Sequence, residues 1–161
     1  MNGSTIGIDP SVARPAIAIW PARETWQLKI EGQGSERFMA LCGSVRDWAY
    51  HHAPDDLLAV FIERPTNSFP KPALYQANGI IQVGVLSGQQ GRFRHPVSCF
   101  ELSPGTWKKH SIGKGNAKKD DVWHWAVGEI GIGSSVTQDE CDALAIARAG
   151  HALLEQGADL G

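Results

Sequence analysis

No apolar run in this sequence is long enough to cross a bilayer, and its first residues lack a charged-then-apolar leader pattern. Neither a membrane span nor a secretory signal is therefore expected. Cysteine is scarce: Cys42, Cys99 and Cys141 are odd in number and widely spaced, giving no disulfide framework and no zinc motif. A reducing cytoplasm is the expected compartment. Repeats and low-complexity tracts are missing, and so is any excess of positive charge. The 15 Lys and Arg residues face 17 Asp and Glu, for a formal net charge of −2. That balance argues against a uniformly basic nucleic-acid binder but leaves room for a local basic patch. What is present is a chain of 161 residues, 42% hydrophobic and 20% charged, enough for one domain spanning 1–161 with a real core.

The stretch Thr5-Ile-Gly-Ile-Asp9-Pro10 reads as a short strand ending in a carboxylate, with Thr5, Gly7 and Asp9 on one side and Ile6 and Ile8 on the other. Residues 15–20 and 25–31 are two more strand candidates on short polar connections, the spacing of an antiparallel meander. Phe38, Leu41, Cys42, Val45, Trp48, Ala49 and His52 form a helical stripe over 37–52. Leu57–Glu63 is nearly all apolar, as a strand covered on both faces should be, and it too ends in an acid. Helical periodicity returns over 73–88, with Ala77, Gly79 and Gly84 at positions suited to close packing. Residues 97–102 are a fifth strand. Ser103-Pro104 opens a short helix to about His110, and Asn116 is the expected cap of a helix to about Ile130. Thr137-Gln-Asp-Glu140 matches a capping box, opening a last helix to about Gln156. The order β-β-β-α-β-α-β-α-α-α predicts an α/β fold: a five-stranded mixed sheet flanked by helices on both faces.

Acids close three of these elements. Asp9 and Glu63 end strands, while Asp139 and Asp142, three residues apart, share one helix face that continues through Ile146, Ala149 and Leu153. Acids in a first helical turn ordinarily complement the helix dipole, which accounts for Glu140. An inward Asp142 leading an apolar stripe is costly unless paired. Carboxylates that converge repel one another unless cations are bound. Oxygen-only ligation suits Mg²⁺ or Mn²⁺, and two such ions roughly 3.5–4 Å apart activate water and stabilise the leaving oxygen of a phosphodiester. Spacing alone weighs this evenly against scattered structural acids.

Four segments, in order, make a resemblance specific: Ile6-Gly-Ile-Asp9-Pro10, Phe61-Ile-Glu63, Gly113-Lys-Gly-Asn-Ala-Lys-Lys119 and Gln138-Asp139-Glu-Cys-Asp142-Ala-Leu-Ala-Ile-Ala147. They resemble the RuvC-type Holliday junction resolvases over about residues 5–151. The resemblance implies a ribonuclease-H-like fold, with Asp9, Glu63, Asp139 and Asp142 as a catalytic tetrad binding two Mg²⁺ ions, Mn²⁺ substituting. It further implies a homodimer, built through a helix like Ala73–Ile80, that nicks two opposed strands of a four-way DNA junction to leave 5′-phosphates and 3′-hydroxyls. A branch-migration motor is a further partner that the resemblance suggests. Ser11 stands where the family commonly has glycine, and the loop from Arg64 to Pro70 is individual. Such loops suit a phage-encoded member.

Lys108, Lys109, Lys114, Lys118 and Lys119 crowd into twelve positions. By itself such a cluster is most simply a solvated face; the family's basic motif makes it a phosphate-binding stretch with salt-sensitive DNA affinity. Lys108 and Lys119 best match the family's phosphate-contacting lysines, one of them available to stabilise transition-state charge. Arg64 joins them as a DNA-contact candidate. Phe69 either wedges between bases at a junction centre or tucks beneath its own loop. Three other readings stay open: a junction-binding module that cuts little, a nuclease for other branched DNA or RNA hybrids, and an actin-like ATPase. The last needs two lobes, and this length supplies one.

Overall fold

A computed structural model of the chain describes residues 3–66, 72–90, 97–131 and 135–160. Five strands and five helices alternate as expected: β1 (Ser4–Asp9), β2 (Ala16–Trp20), β3 (Glu24–Gln27), α1 (Gly34–His52), β4 (Leu57–Glu63), α2 (Pro72–Gly88), β5 (Ser98–Leu102), α3 (Pro104–Ile112), α4 (Lys119–Ile130) and α5 (Gln138–Glu155). The strands form one mixed sheet in the order β3-β2-β1-β4-β5. The β1–β2 and β2–β3 pairs are antiparallel, whereas β1–β4 and β4–β5 are parallel.

Strand alternation divides the core in two. Ile6, Ile8, Ile17, Ile19, Val60 and Ile62 point to the face covered by α1 and α2. The opposite face carries small residues, among them Ala16, Ala18 and Ala59, and packs against α5, α3 and α4. Smallness there has a use. A Cβ on Gly7 would collide with the backbone of Ala143 and Ala147, and one on Gly150 with the Phe61 ring. The Thr5 hydroxyl donates to the Ala147 carbonyl (2.8 Å), completing a close seam between β1 and α5. That seam fixes which end of α5 overhangs Asp9.

Two of the three expected helix caps are present. Ser103 accepts from the Thr106 N–H ahead of Pro104, and Thr137 and Glu140 form a reciprocal capping box. Three local expectations are corrected. The third strand stops at Gln27 rather than residue 31, because its neighbour there is Pro15. Leu28 and Ile30 still donate to the carbonyls of Pro15 and Ala13, but proline has no N–H to return. The α4 cap is Lys118, not Asn116, since the Asp121 carboxylate accepts the Lys118 backbone N–H (2.8 Å) and sets the helix start there. In α2 the close approach to α1 falls at Gly84 and Gly88, against the carbonyls of Cys42 and Arg46, while Gly79 faces open space.

Candidate active site

Register builds the centre of the site. Ile8 pairs with Ile62 across the parallel β1–β4 ladder, so the next residues, Asp9 and Glu63, come side by side where both strands end. On the antiparallel side Asp9 pairs with Ala16, and Ala16 with Gln27. One row across the sheet therefore reads Gln27, Ala16, Asp9, Glu63. The β1–α5 seam sets the first turns of α5 over this row and brings Asp139 and Asp142 to it.

All four carboxylates are half-buried, and they feel one another. Burial pushes Asp9 up to about 8, with Glu63, Asp142 and Asp139 adding to the rise and Lys119 opposing it. Burial also raises Glu63, with Asp142 adding; the Trp107 hydrogen bond, Lys108 and Lys119 pull it down. Asp142 is raised by burial against the pull of a Gln138 hydrogen bond, Lys119 and Lys108. Buried like charges hold their protons for the reason that makes them good cation ligands: each negative charge makes the next more costly.

Three of the acids are held by neutral donors. The Trp107 indole N–H donates to Glu63 Oε2 (2.7 Å), the Gln27 amide to Asp139 Oδ2 (2.9 Å) and the Gln138 amide to Asp142 Oδ1 (2.9 Å). Each bond fixes one carboxylate oxygen. Among the described residues, no three acid, histidine or cysteine side chains are gathered to metal-binding distance as the chain stands. The donor set fits a hard divalent cation: oxygens from four acids, where a bound positive charge would relieve the crowding that raises Asp9, Glu63 and Asp142.

The basic residues divide. Lys108, its ammonium over the Trp107 ring (5.2 Å), and Lys119 both act on Glu63 and Asp142. Lys114 turns instead to Asp121 (3.4 Å). Lys109 and Lys118 are exposed on the same stretch. Arg64 is exposed and pairs with Glu101 (3.4 Å), on β5. Phe69 lies outside the described residues.

No protein-family model and no curated protein sequence matches the chain. Solved structures do. A structure of Thermus thermophilus RuvC aligns with 96% of this chain and 97% of its own at TM-score 0.73 and 21% identity. The fold is that of RuvC. A second structure, of T. thermophilus RuvC in complex with Holliday junction substrate, aligns over 97% of both chains at TM-score 0.71 and 22% identity. The RuvC fold is ribonuclease-H-like, as the motif order had implied. Trp107 and Gln27 escaped sequence reasoning. An indole in a short helix and an amide on an edge strand carry no local sign of pairing with acids 44 and 112 positions away.

Proposed function

We propose that this chain is a divalent-metal-dependent endodeoxyribonuclease that resolves four-way DNA junctions. The observation carrying the reading is the convergence of Asp9 and Glu63, where the central strands β1 and β4 end, with Asp139 and Asp142 of α5, under the influence of Lys108 and Lys119. Two Mg²⁺ ions held by these acids would supply Lewis acidity, making water nucleophilic and stabilising the leaving oxygen. The chain's own part is to orient and to balance charge. Trp107, Gln27 and Gln138 aim one carboxylate each, and Lys108 and Lys119 offset negative charge building on the phosphate. The RuvC fold and the junction-bound T. thermophilus protein support the choice of substrate.

A homodimer belongs to the same reading. Phe38, Met39 and Cys42 of α1 with Gly79, Ile80 and Val83 of α2 line an apolar groove of about 300 Å³. It adjoins a wider one of about 770 Å³ reaching Tyr75. Met39 is 76% exposed and Val83 59%, an unfavourable display for a monomer and a suitable one for a second copy.

Cleavage of an end-labelled immobile four-way junction tests the function, in Mg²⁺ and in Ca²⁺, beside linear duplex and beside Asp139→Asn. Paired symmetric nicks only with Mg²⁺ and intact Asp139 are expected. Equal cutting of flaps, forks or RNA hybrids would replace the junction with a broader substrate. Tight binding without cleavage under any metal would replace the enzyme with a binding module.

A further inference from the structure

On the far side of the acids from Lys108, a polar groove of about 250 Å³ is lined by Arg14, Gln27, Leu28 and Lys29. Gln27 is the wall it shares with the acid cluster, since its amide donates to Asp139. The groove thus opens beside the acids, at the β3 edge. Lys108 stands on the helix that follows β5, the other edge.

The cations of this groove sit on a braced frame. Ser11 Oγ accepts from the backbone N–H groups of Ala13 (3.4 Å) and Arg14 (3.2 Å), closing the turn after Asp9. The carbonyls on either side of Arg14 are pinned as well, Ala13 by the Ile30 N–H (2.9 Å) and Pro15 by the Leu28 N–H (3.0 Å). Neither side chain is consumed by the fold. Among the described residues no carboxylate pairs with Arg14. Lys29 pairs, among the described residues, with Glu31 alone (2.8 Å), the side chains being 75% and 78% exposed. Such an exposed pair stabilises by at most about 1 kcal/mol and yields readily to a phosphate.

We propose that Arg14 and Lys29 form a second phosphate-binding subsite, which grips the backbone of the cleaved strand on the β3 side of the acids. The inference rests on the nuclease reading above. Gln27 lies two strands from Asp9, a separation of roughly 10 Å. At 3.4 Å of axial rise per nucleotide, that places the gripped phosphate about three nucleotides from the scissile one. The strand is then held on both sides of the acids, by Lys108 on the helix after β5 and by Arg14 and Lys29 near β3.

The test walks a single uncharged methylphosphonate along the cleaved strand, on both sides of the nick, with wild type, Arg14→Ala, Lys29→Ala and the double variant. For wild type, cleavage is expected to fall about tenfold at one position near three nucleotides from the nick. The double variant should show the same loss on unmodified DNA and no further loss at that position, and its salt dependence should be shallower by about one to two phosphate contacts. Both residues are exposed, so an unchanged melting temperature is expected. A wild type with no sensitive position there, or losses from variant and methylphosphonate that simply multiply, would overturn the subsite alone. A wild type that binds and cuts no nucleic acid would remove the nuclease reading and the subsite together.

Discussion

Replacing Trp107 by phenylalanine isolates one hydrogen bond of the proposed site. The indole is 1% exposed and its N–H meets Glu63 at 2.7 Å. Phenylalanine keeps most of the apolar volume but offers no donor. A hydrogen bond to a charged acceptor contributes roughly 1.5–3 kcal/mol net, and losing its donor frees Glu63 to rotate away from Asp9. If that energy is felt in the transition state, single-turnover cleavage slows roughly 10- to 150-fold. Because Glu63 would also hold its proton more tightly without the bond, the Mg²⁺ concentration for half-maximal rate should rise. Junction affinity measured in Ca²⁺ should stay near wild type, as the Trp107 ring is buried away from the surface. The swap also leaves a void and some instability, so Val122→Ala, a truncation in the same core cluster, serves as the control. It should lower the melting temperature and leave both rate and Mg²⁺ requirement alone. Wild-type rates in Trp107→Phe, or an equal loss in Val122→Ala, would refute the positioning role.

Two further outcomes follow from geometry already described. Asp9 titrates near 8 in the folded chain against 3.8 ordinarily, so between those values the folded state keeps a proton that the unfolded state has given up. Stability should therefore fall as pH rises from about 4 to 8, by at most about 1.4 kcal/mol per unit. In chelator, the melting temperature should be lower at pH 8 than at pH 5, and Mg²⁺ should raise it more at pH 8; a flat profile would count against a repelling acid cluster. At the apolar groove, Val83→Glu should convert a dimer to a monomer in sedimentation experiments without loss of fold, and a wild type already monomeric at micromolar concentration would remove the dimer.

The acids were legible because each carries a positional sign: Asp9 and Glu63 close apolar strands, and Asp142 leads an inward helical stripe. Their meeting depended on the parallel β1–β4 register, which a strand-by-strand reading leaves open and the motif order supplied. Trp107 reads as an ordinary core aromatic because burial and donation look alike in sequence. Gln27 falls within the third strand candidate, with no indication that α5 lies over it. The misplaced α4 start has a similar origin: Asn116 is the better intrinsic cap, yet the Asp121 carboxylate fixes the start at Lys118 from within the helix. Gly79 and Gly84 are equivalent by composition, and only the path of α1 tells which of them faces a backbone.

The seam between Thr5 and Ala147 joins positions 142 residues apart, and half the acids lie on each side of it. A polypeptide still being synthesised holds Asp9 and Glu63 long before α5 exists to bring Asp139 and Asp142. No partly folded form lacking that helix has a complete acid set, so on the proposed reading unfinished molecules cannot cut the nucleic acids around them. Local loosening of a surface loop leaves the set intact, whereas undocking of α5 abolishes it at once. The proposed nuclease activity would then report native topology as an all-or-none signal.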